Sequence, residues 1–395
     1  MGGRSLKLLY LYAFLTLLVF LRPAIGFISG VGDANNIRCL EGERQALLEF
    51  KKGLVDDYGK LSSWGSEDEK KNCCNWKGVH CSNQTGHVLG LDLNGDLNHE
   101  IQLLRGTISP SLLKLPYLTY LDLSCNDFNQ SHIPEFIGSL NNLKHLDLSW
   151  ANLSGPIPHQ LGNLSGLQYL YLGVNDLKII DNNLEWLSHL SSIEHLDLSD
   201  TNLSVANGWL NVVSHLPKLS ELSLTRCDLP PVTPSSLPHV NFSKYLTKLD
   251  LSANHLTSSI FPWLFNYSTS LVDLDLSDNQ LRGSILDAFG NMNSLKFLLL
   301  DDNQLEGGVP KFFGNMCTLY SLSLGGNKLS GQLVEVIHNL SGCVQHSLWM
   351  LNLDGNQMRG PVPKSIGNLY ELRGLEVSSN LLEALIGCPL FNWIS

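Results

Sequence analysis

The chain has 395 residues, only 16% of them charged, and its 37 aspartates and glutamates outnumber its 26 lysines and arginines to give a net charge of −11. That balance argues against a nucleic-acid partner, and no basic patch interleaved with aromatics offsets it. A hydrophobic share of 43%, with no low-complexity tail, is enough for an ordered core and excludes extended disorder before the last dozen residues.

In chain order, residues 1–26 open with Arg4 and Lys7, run through an apolar stretch from Leu8 to Leu21, and end with the small residues Ala24 and Gly26. This is the pattern of a secretory signal cleaved after Gly26, so the mature chain is expected to start near Phe27 and to be secreted into the extracellular space. An uncleaved anchor is the alternative, disfavoured because the apolar run is short for a bilayer span. No later stretch is long and apolar enough for a transmembrane helix.

Residues 27–87 read as a cap. "RCLEGERQALLEFKKGL" predicts an amphipathic helix with Glu43 near its start, Ala46, Leu47, Phe50 and Leu54 on one face, and Gly53 near its end. Secretion permits disulfides, and Cys39, Cys73, Cys74 and Cys81 lie just before the first repeat. Adjacent Cys73 and Cys74 are poor partners for each other, so Cys39–Cys73 with Cys74–Cys81 is the favoured pairing and the crossed pairing is the alternative. A metal site is disfavoured, because the spacing supplies neither a second CxxC nor a zinc-finger histidine pair. No cofactor is called for.

Residues 88–382 repeat one pattern, LxxLxL followed by two residues and an Asn. It begins at Val88, Leu118, Leu143, Leu167, Ile193, Leu219, Leu246, Leu271, Leu295, Leu319, Leu348 and Leu372, with most steps between 24 and 27 residues. Such a period marks an α/β solenoid of about twelve leucine-rich repeats, each coil supplying one short strand that cannot bury its apolar side alone. Period-two alternation turns Leu274 and Leu276 inward and Asp275 outward, and each buried leucine is worth about 1.5 to 3 kcal/mol. The Asn forms a ladder through Asn126, Asn175, Asn254, Asn279, Asn303, Asn327, Asn356 and Asn380, whose amides satisfy backbone groups that the turn leaves unpaired. Ala151, Thr201 and Cys227 interrupt it, and these coils are expected to be looser. Cys317 and Cys343 lie about one coil apart on the side away from the strand, which suits a third disulfide. Cys227 reads as a buried core thiol, and Cys125 and Cys388 are unassigned.

The second half of a repeat is fullest in "LSGPIPHQLGNLSGL" (153–167) and "GPVPKSIGNLYEL" (360–372), and it weakens over 178–240. It resembles the plant-specific leucine-rich repeat, whose Gly-x-Ile-Pro stretch forms a second small strand. The cysteine cluster with "WKGVHC" (76–81) resembles the N-terminal cap of plant extracellular leucine-rich repeat proteins. Signal, cap, repeats and the Cys317/Cys343 pair together resemble plant receptor-like proteins of the disease-resistance and elicitor-receptor class. That resemblance implies a non-enzymatic ligand-binding ectodomain in defence signalling. It would bind an extracellular peptide or protein, microbial in some members, and act with a co-receptor kinase at the plasma membrane in full-length relatives. Polygalacturonase-inhibiting proteins, which block a microbial enzyme, are an alternative resemblance, and a soluble decoy or non-functional fragment is a third reading. Residues 383–395 form an irregular tail with no recognisable cap, so the chain is expected to stop short of the membrane helix of that class, leaving Leu375, Val377, Leu381 and Leu382 exposed and prone to fraying.

An enzyme is disfavoured. "HLDLS" (145–149 and 195–199) offers His, Asp and Ser, but residues i and i+4 of a strand are about 13.5 Å apart, too far for a hydrolytic triad. A ligand-binding patch is expected instead on the concave strand face, at Tyr120, His145, Tyr169, Tyr171 and His195, with Asp122, Asp147 and Asp197 beside it. The two histidines next to aspartates suggest an affinity that shifts between about pH 5 and 7. Sequons at Asn83, Asn129, Asn152, Asn163, Asn202, Asn241, Asn266 and Asn339 all avoid the strand segments, so glycans are expected to leave the strand face bare.

Overall fold

The computed structural model describes residues 38–95, 103–180, 184–233, 245–267 and 269–383. The signal segment, Asn241, Cys388 and the tail after Glu383 lie outside the described residues.

The cap helix α1 (Glu41–Lys52) forms because Ala46, Leu47 and Phe50 recur at helical spacing and are buried together. Glu41 and Glu43 occupy its first turn and Lys51 and Lys52 its last, matching the helix dipole. It ends at Gly53, so Leu54 falls not on the helix but in a short strand, Leu54–Val55, paired antiparallel with Arg105–Gly106. Glu43 is buried and ties the cap to the first repeat: its carboxylate accepts a hydrogen bond from the Val88 amide at 2.7 Å and lies 2.8 Å from His87 Nδ1. Disulfides join Cys39 to Cys73 and Cys74 to Cys81, with Cα separations of 5.3 and 5.5 Å, and Cys317 to Cys343 at 4.9 Å.

The repeat leucines build one 13-stranded sheet. It starts with an antiparallel pair, Val79–Cys81 and Val88–Asp92, and continues in parallel through coils two to twelve. Coils two to six contribute Tyr120–Asp122, His145–Asp147, Tyr169–Tyr171, His195–Asp197 and Glu221–Ser223. Coils seven to twelve contribute Lys248–Asp250, Asp273–Asp275, Phe297–Leu299, Ser321–Ser323, Met350–Asn352 and Gly374–Glu376. The register never slips between coils two and twelve, because every central leucine pairs with its counterpart. The Gly-x-Ile-Pro halves form smaller parallel sheets alongside, including a five-stranded one from Arg282–Gly283 to Leu381–Leu382. On the far side, prolines at positions 134, 158, 310 and 363 set extended N-caps for short 3-10 helices. Trp209–Ser214, within the 178–240 stretch, and Phe261–Leu264, beyond it, are α-helical instead, and the buried rings of Trp209, Trp263 and Tyr267 pack against one another there.

The asparagine ladder is closed at two of the three positions where it was expected to be loose, Ala151 and Cys227. Ala151, Thr201 and Cys227 are fully buried. At Ala151 and Cys227 the residue's own carbonyl takes the amide that an Asn side chain would have taken, from Phe128 at 3.0 Å and from Leu203 at 2.8 Å. The neighbouring Asn175 and Asn254 then accept from the Ala151 and Cys227 amides. Backbone and adjacent coils thus cover the gap at Ala151 and Cys227, whereas at Thr201 the buried side-chain hydroxyl has no hydrogen-bond partner among the described residues. At the other end, Val377 is buried rather than exposed, Leu375 and Leu382 are half-buried, and only Leu381 of that group stands out, at 56% exposure.

Candidate ligand-binding face

Strand register places Tyr120, His145, Tyr169 and His195 directly above one another on successive coils. The rings are in contact: centroids lie 4.3 Å apart for Tyr120 and His145, 5.6 Å for His145 and Tyr169, and 4.7 Å for Tyr169 and His195. Tyr171 joins from the next outward column, 5.7 Å from His145. All five are half-buried rather than fully exposed, because each ring rests on its neighbour. Burial raises the Tyr171 phenol well above its ordinary range and raises Tyr169 as well, so both stay neutral hydrogen-bonding groups at any physiological pH.

The same column then turns from aromatic to ionic. His195 Nδ1 lies 3.2 Å from Glu221 Oε2, and the Lys248 ammonium lies 3.6 Å from the same oxygen. Burial pushes the Glu221 carboxyl up, but the hydrogen bond with His195 and the charges of His195 and Lys248 outweigh it and hold the group below its ordinary value. The acidic partner of His195 is therefore Glu221 on the next coil rather than an aspartate of the expected column.

Those aspartates need correction. Asp122 and Asp147 are buried, at 0% and 3% exposure, and are not presented outward. In each, Oδ1 accepts from the amide and hydroxyl of the serine two residues on, at 2.9 and 2.6 Å. Asp197, Asp250 and Asp275 repeat the arrangement with Ser199, Ser252 and Ser277. This is a local side-chain-to-backbone motif that shapes the turn, so the column is scaffold beneath the aromatics. Asp122, His145 and Asp147 do bring three ligand-type atoms within 4.8 Å of one another, but an oxygen of each carboxylate is committed to its serine.

Stacking carboxyls on successive coils has an acid–base consequence. Burial pushes Asp273 up to about 6, with Lys248 opposing and Asp250 and Glu221 adding to it. Burial also raises Asp301 to about 6, against hydrogen bonds from Ser323 and Gly325. Asp275 is raised well above the carboxylate range by burial and by Asp250. Each group binds its proton more tightly folded than unfolded. For Asp273 and Asp301 this stabilisation is complete below the unfolded value near 4 and is lost as pH rises through about 6. The protein is expected to melt higher at pH 5 than at pH 7.5, by a margin on the order of 1 to 2 kcal/mol. Glu221 acts with the opposite sign, but only below the ordinary glutamate range. Thermal melts across this window check the prediction, and Asp273→Asn should flatten the profile.

A second aromatic group was not foreseen. Phe297, Tyr320 and Trp349 pack edge to face and then face to face at 5.6 Å, with Tyr320 and Trp349 40% and 42% exposed. Their signal was the residue just after the first leucine of coils ten and eleven, which is polar in most other coils. Of the sequons, Asn83, Asn129, Asn152, Asn163, Asn202 and Asn266 are exposed. Asn339 is half-buried and donates to the Val309 carbonyl at 2.8 Å. Among the described residues no helix is long and apolar enough to cross a membrane.

A stacked parallel sheet, an asparagine ladder and a disulfide-tied cap define a leucine-rich repeat protein, and the chain belongs to that family. The family described as Leucine rich repeat N-terminal domain matches residues 40–82, and Leucine rich repeat families match 244–305, 117–140, 142–164 and 347–369. The relatives are plant receptor-like proteins. Receptor-like protein EIX1 of Solanum lycopersicum is 42% identical over 296 residues, covering 73% of this chain and 28% of that protein. Receptor-like protein EIX2 of the same species is 51% identical over 148 residues, 36% of this chain and 14% of its own length. The chain thus spans less than a third of the length of these curated relatives. Among solved structures, the ectodomain of the Arabidopsis receptor kinase HAESA with its IDA peptide hormone ligand superposes with a TM-score of 0.71 at 29% identity, covering 86% of this chain and 53% of that one. The plant peptide hormone receptor RGFR1 in complex with RGF2 gives 0.58 at 27% identity, with 78% and 49% coverage.

Proposed function

We propose that this chain is the non-catalytic, extracellular ligand-recognition part of a plant receptor-like protein in defence signalling, and that coils two to five hold its ligand. The observation that carries this reading is the aromatic ladder Tyr120–His145–Tyr169–His195, four polar-tipped rings in register on a rigid sheet, spanning roughly 15 Å. Aromatic groups of this kind anchor peptide and protein partners because they offer large contact area at little entropic cost. The solved ectodomains of HAESA and RGFR1 carry peptide hormones, and HAESA is also known with the co-receptor SERK1. By analogy the ligand here is a peptide or an extended protein segment, of microbial origin in a defence setting, and a membrane-anchored form would engage a co-receptor kinase. Glycans at Asn129, Asn152 and Asn202 would sit beyond the ladder position, at the edge next to the smaller sheets, and leave the ladder uncovered.

The test is the triple variant Tyr120→Ala, Tyr169→Ala, Tyr171→Ala in secreted protein. The probe is the set of peptides selected on the wild-type protein from a phage-displayed library of random twelve-residue sequences. At least a tenfold loss of affinity is expected, since truncating a central aromatic anchor costs about 1 to 2 kcal/mol or more. Unchanged affinity in a variant with a normal melt contradicts the proposed site.

A further inference from the structure

Each coil from the second to the twelfth passes through one residue in the left-handed region, just before the ladder position, with φ between 52° and 64°. The turn is imposed from outside. The amides of Cys125, Trp150 and Val174 donate to the carbonyls of Ser149, Gly173 and Ser199 on the next coil at 2.9, 3.0 and 2.9 Å, and Asp278 donates to Asp301 in the same way. Whatever residue stands there must accept the conformation. Left-handed backbone suits glycine and is tolerated by aspartate, but it is strained for bulky or β-branched side chains. Coils five, eight and nine carry Asp200, Asp278 and Asp302, and coils ten and eleven carry Gly326 and Gly355. Coils six, seven and twelve carry Arg226, Ala253 and Ser379, and coils two to four carry Cys125, Trp150 and Val174.

Packing does not explain that choice, because Trp150 is 45% exposed. A tryptophan held in a strained turn and left in solvent is destabilising twice over, through backbone strain and through apolar exposure, and such outliers concentrate at binding sites. Trp150 and the β-branched Val174 are the large apolar side chains at this turn among coils two to twelve, and with Cys125 they stand on the coils that carry Tyr120, His145, Tyr169 and Tyr171. We propose that Cys125, Trp150 and Val174 form the far wall of the ligand-binding strip, and that Trp150 determines specificity by packing against an apolar side chain of an extended peptide. This inference rests on the reading of coils two to five as the ligand face.

Dimensions select the occupant. Trp150 follows His145 by five positions, at most about 16 Å of extended strand. That gap admits one extended chain with side chains on both edges, whereas a small folded domain is about 30 Å across. Gly173 lies between the walls, where an added Cβ would meet the Asp197 carboxylate at 2.9 Å, and its bare backbone keeps the floor open beside Tyr171.

The test pairs stability with binding, using Trp150→Gly in the full secreted chain and the same phage-selected peptides. Glycine relieves the turn, so the melting midpoint should stay level or rise by about 1 to 3 °C, while peptide affinity falls at least tenfold and Trp150→Phe restores part of it. A midpoint that drops by more than about 3 °C assigns Trp150 to packing and overturns the inference. So does undiminished peptide affinity. If Trp150→Gly binds normally while the triple tyrosine variant does not, the far wall is wrong and the aromatic ladder stands; if neither loses affinity, the ligand face itself is wrong. A library that yields no binding peptide overturns the choice of an extended peptide as occupant.

Discussion

Asn279→Ala is expected to lower the stability of the repeat region by about 3 kcal/mol, a large fraction of what typically holds a domain folded. The side chain is 7% exposed and makes four bonds. Its amide nitrogen donates to the carbonyls of Leu251, Leu276 and Ser277 at 3.0, 3.1 and 3.0 Å, and its oxygen accepts from the Leu256 amide at 3.0 Å. Truncation leaves the buried Leu256 amide without its partner, at about 1 to 3 kcal/mol, and removes one of two donors from each carbonyl, since Leu251, Leu276 and Ser277 keep Asn254, Asn303 and the Ala253 amide. Cys227→Ala is the matched control. Its thiol contacts the Leu198 carbonyl at 3.1 Å, while its own carbonyl already takes the Leu203 amide, so the cost should be about 1 kcal/mol. Denaturant unfolding of both variants checks the pair. Equal losses at the two positions would show that backbone substitution does not close the ladder gaps as described.

Removing the longer cap disulfide, as Cys39→Ser with Cys73→Ser, is expected to cost about 3 to 4 kcal/mol on the chain-entropy model, because the bond closes a loop with a sequence separation of 34. Cys73 is fully buried, and Ala46, Leu47 and Phe50 of α1 belong to the same buried core as the leucines of the first coil. Loosening this bond therefore frees the helix that shields the end of the solenoid, and the loss should appear first as faster amide exchange in α1 and in Val88–Asp92. A change below about 1 kcal/mol in chemical denaturation would mean that the Glu43 carboxylate, bonded to the Val88 amide, holds the cap without the bridge.

The architecture was legible because it repeats. Twelve copies of LxxLxL average out local ambiguity, and spacing alone brought Cys317 and Cys343 within a coil of each other. The aspartates were harder. Alternation says that Asp122 and Asp147 face away from the leucines, which is correct for the backbone, but it does not reveal that each carboxylate folds back onto Ser124 or Ser149 and is buried there. The looseness expected at Ala151 and Cys227 failed for a related reason: a carbonyl replaced a side chain, and backbone substitutes leave no trace in residue identity. The left-handed turn at Trp150 is invisible for the same cause, since φ is set by bonds to the next coil. The helix at Trp209–Ser214 appears inside the 178–240 stretch where the consensus was already weak, so it had no period to betray it, whereas the one at Phe261–Leu264 lies beyond that stretch and was not foreseen.

Hydrogen–deuterium exchange of the secreted protein, with and without a phage-selected peptide at saturating concentration, tests the proposed ligand face most directly. Slowed exchange should be confined to residues 119–125, 144–150, 168–174 and 194–200, where one peptide lying across coils two to five shields the strand edges and the left-handed turns. Protection centred instead on the Phe297, Tyr320 and Trp349 coils, or on the smaller sheet at Gln304–Gly307 and Lys328–Gln332, with coils two to five unchanged, would contradict it.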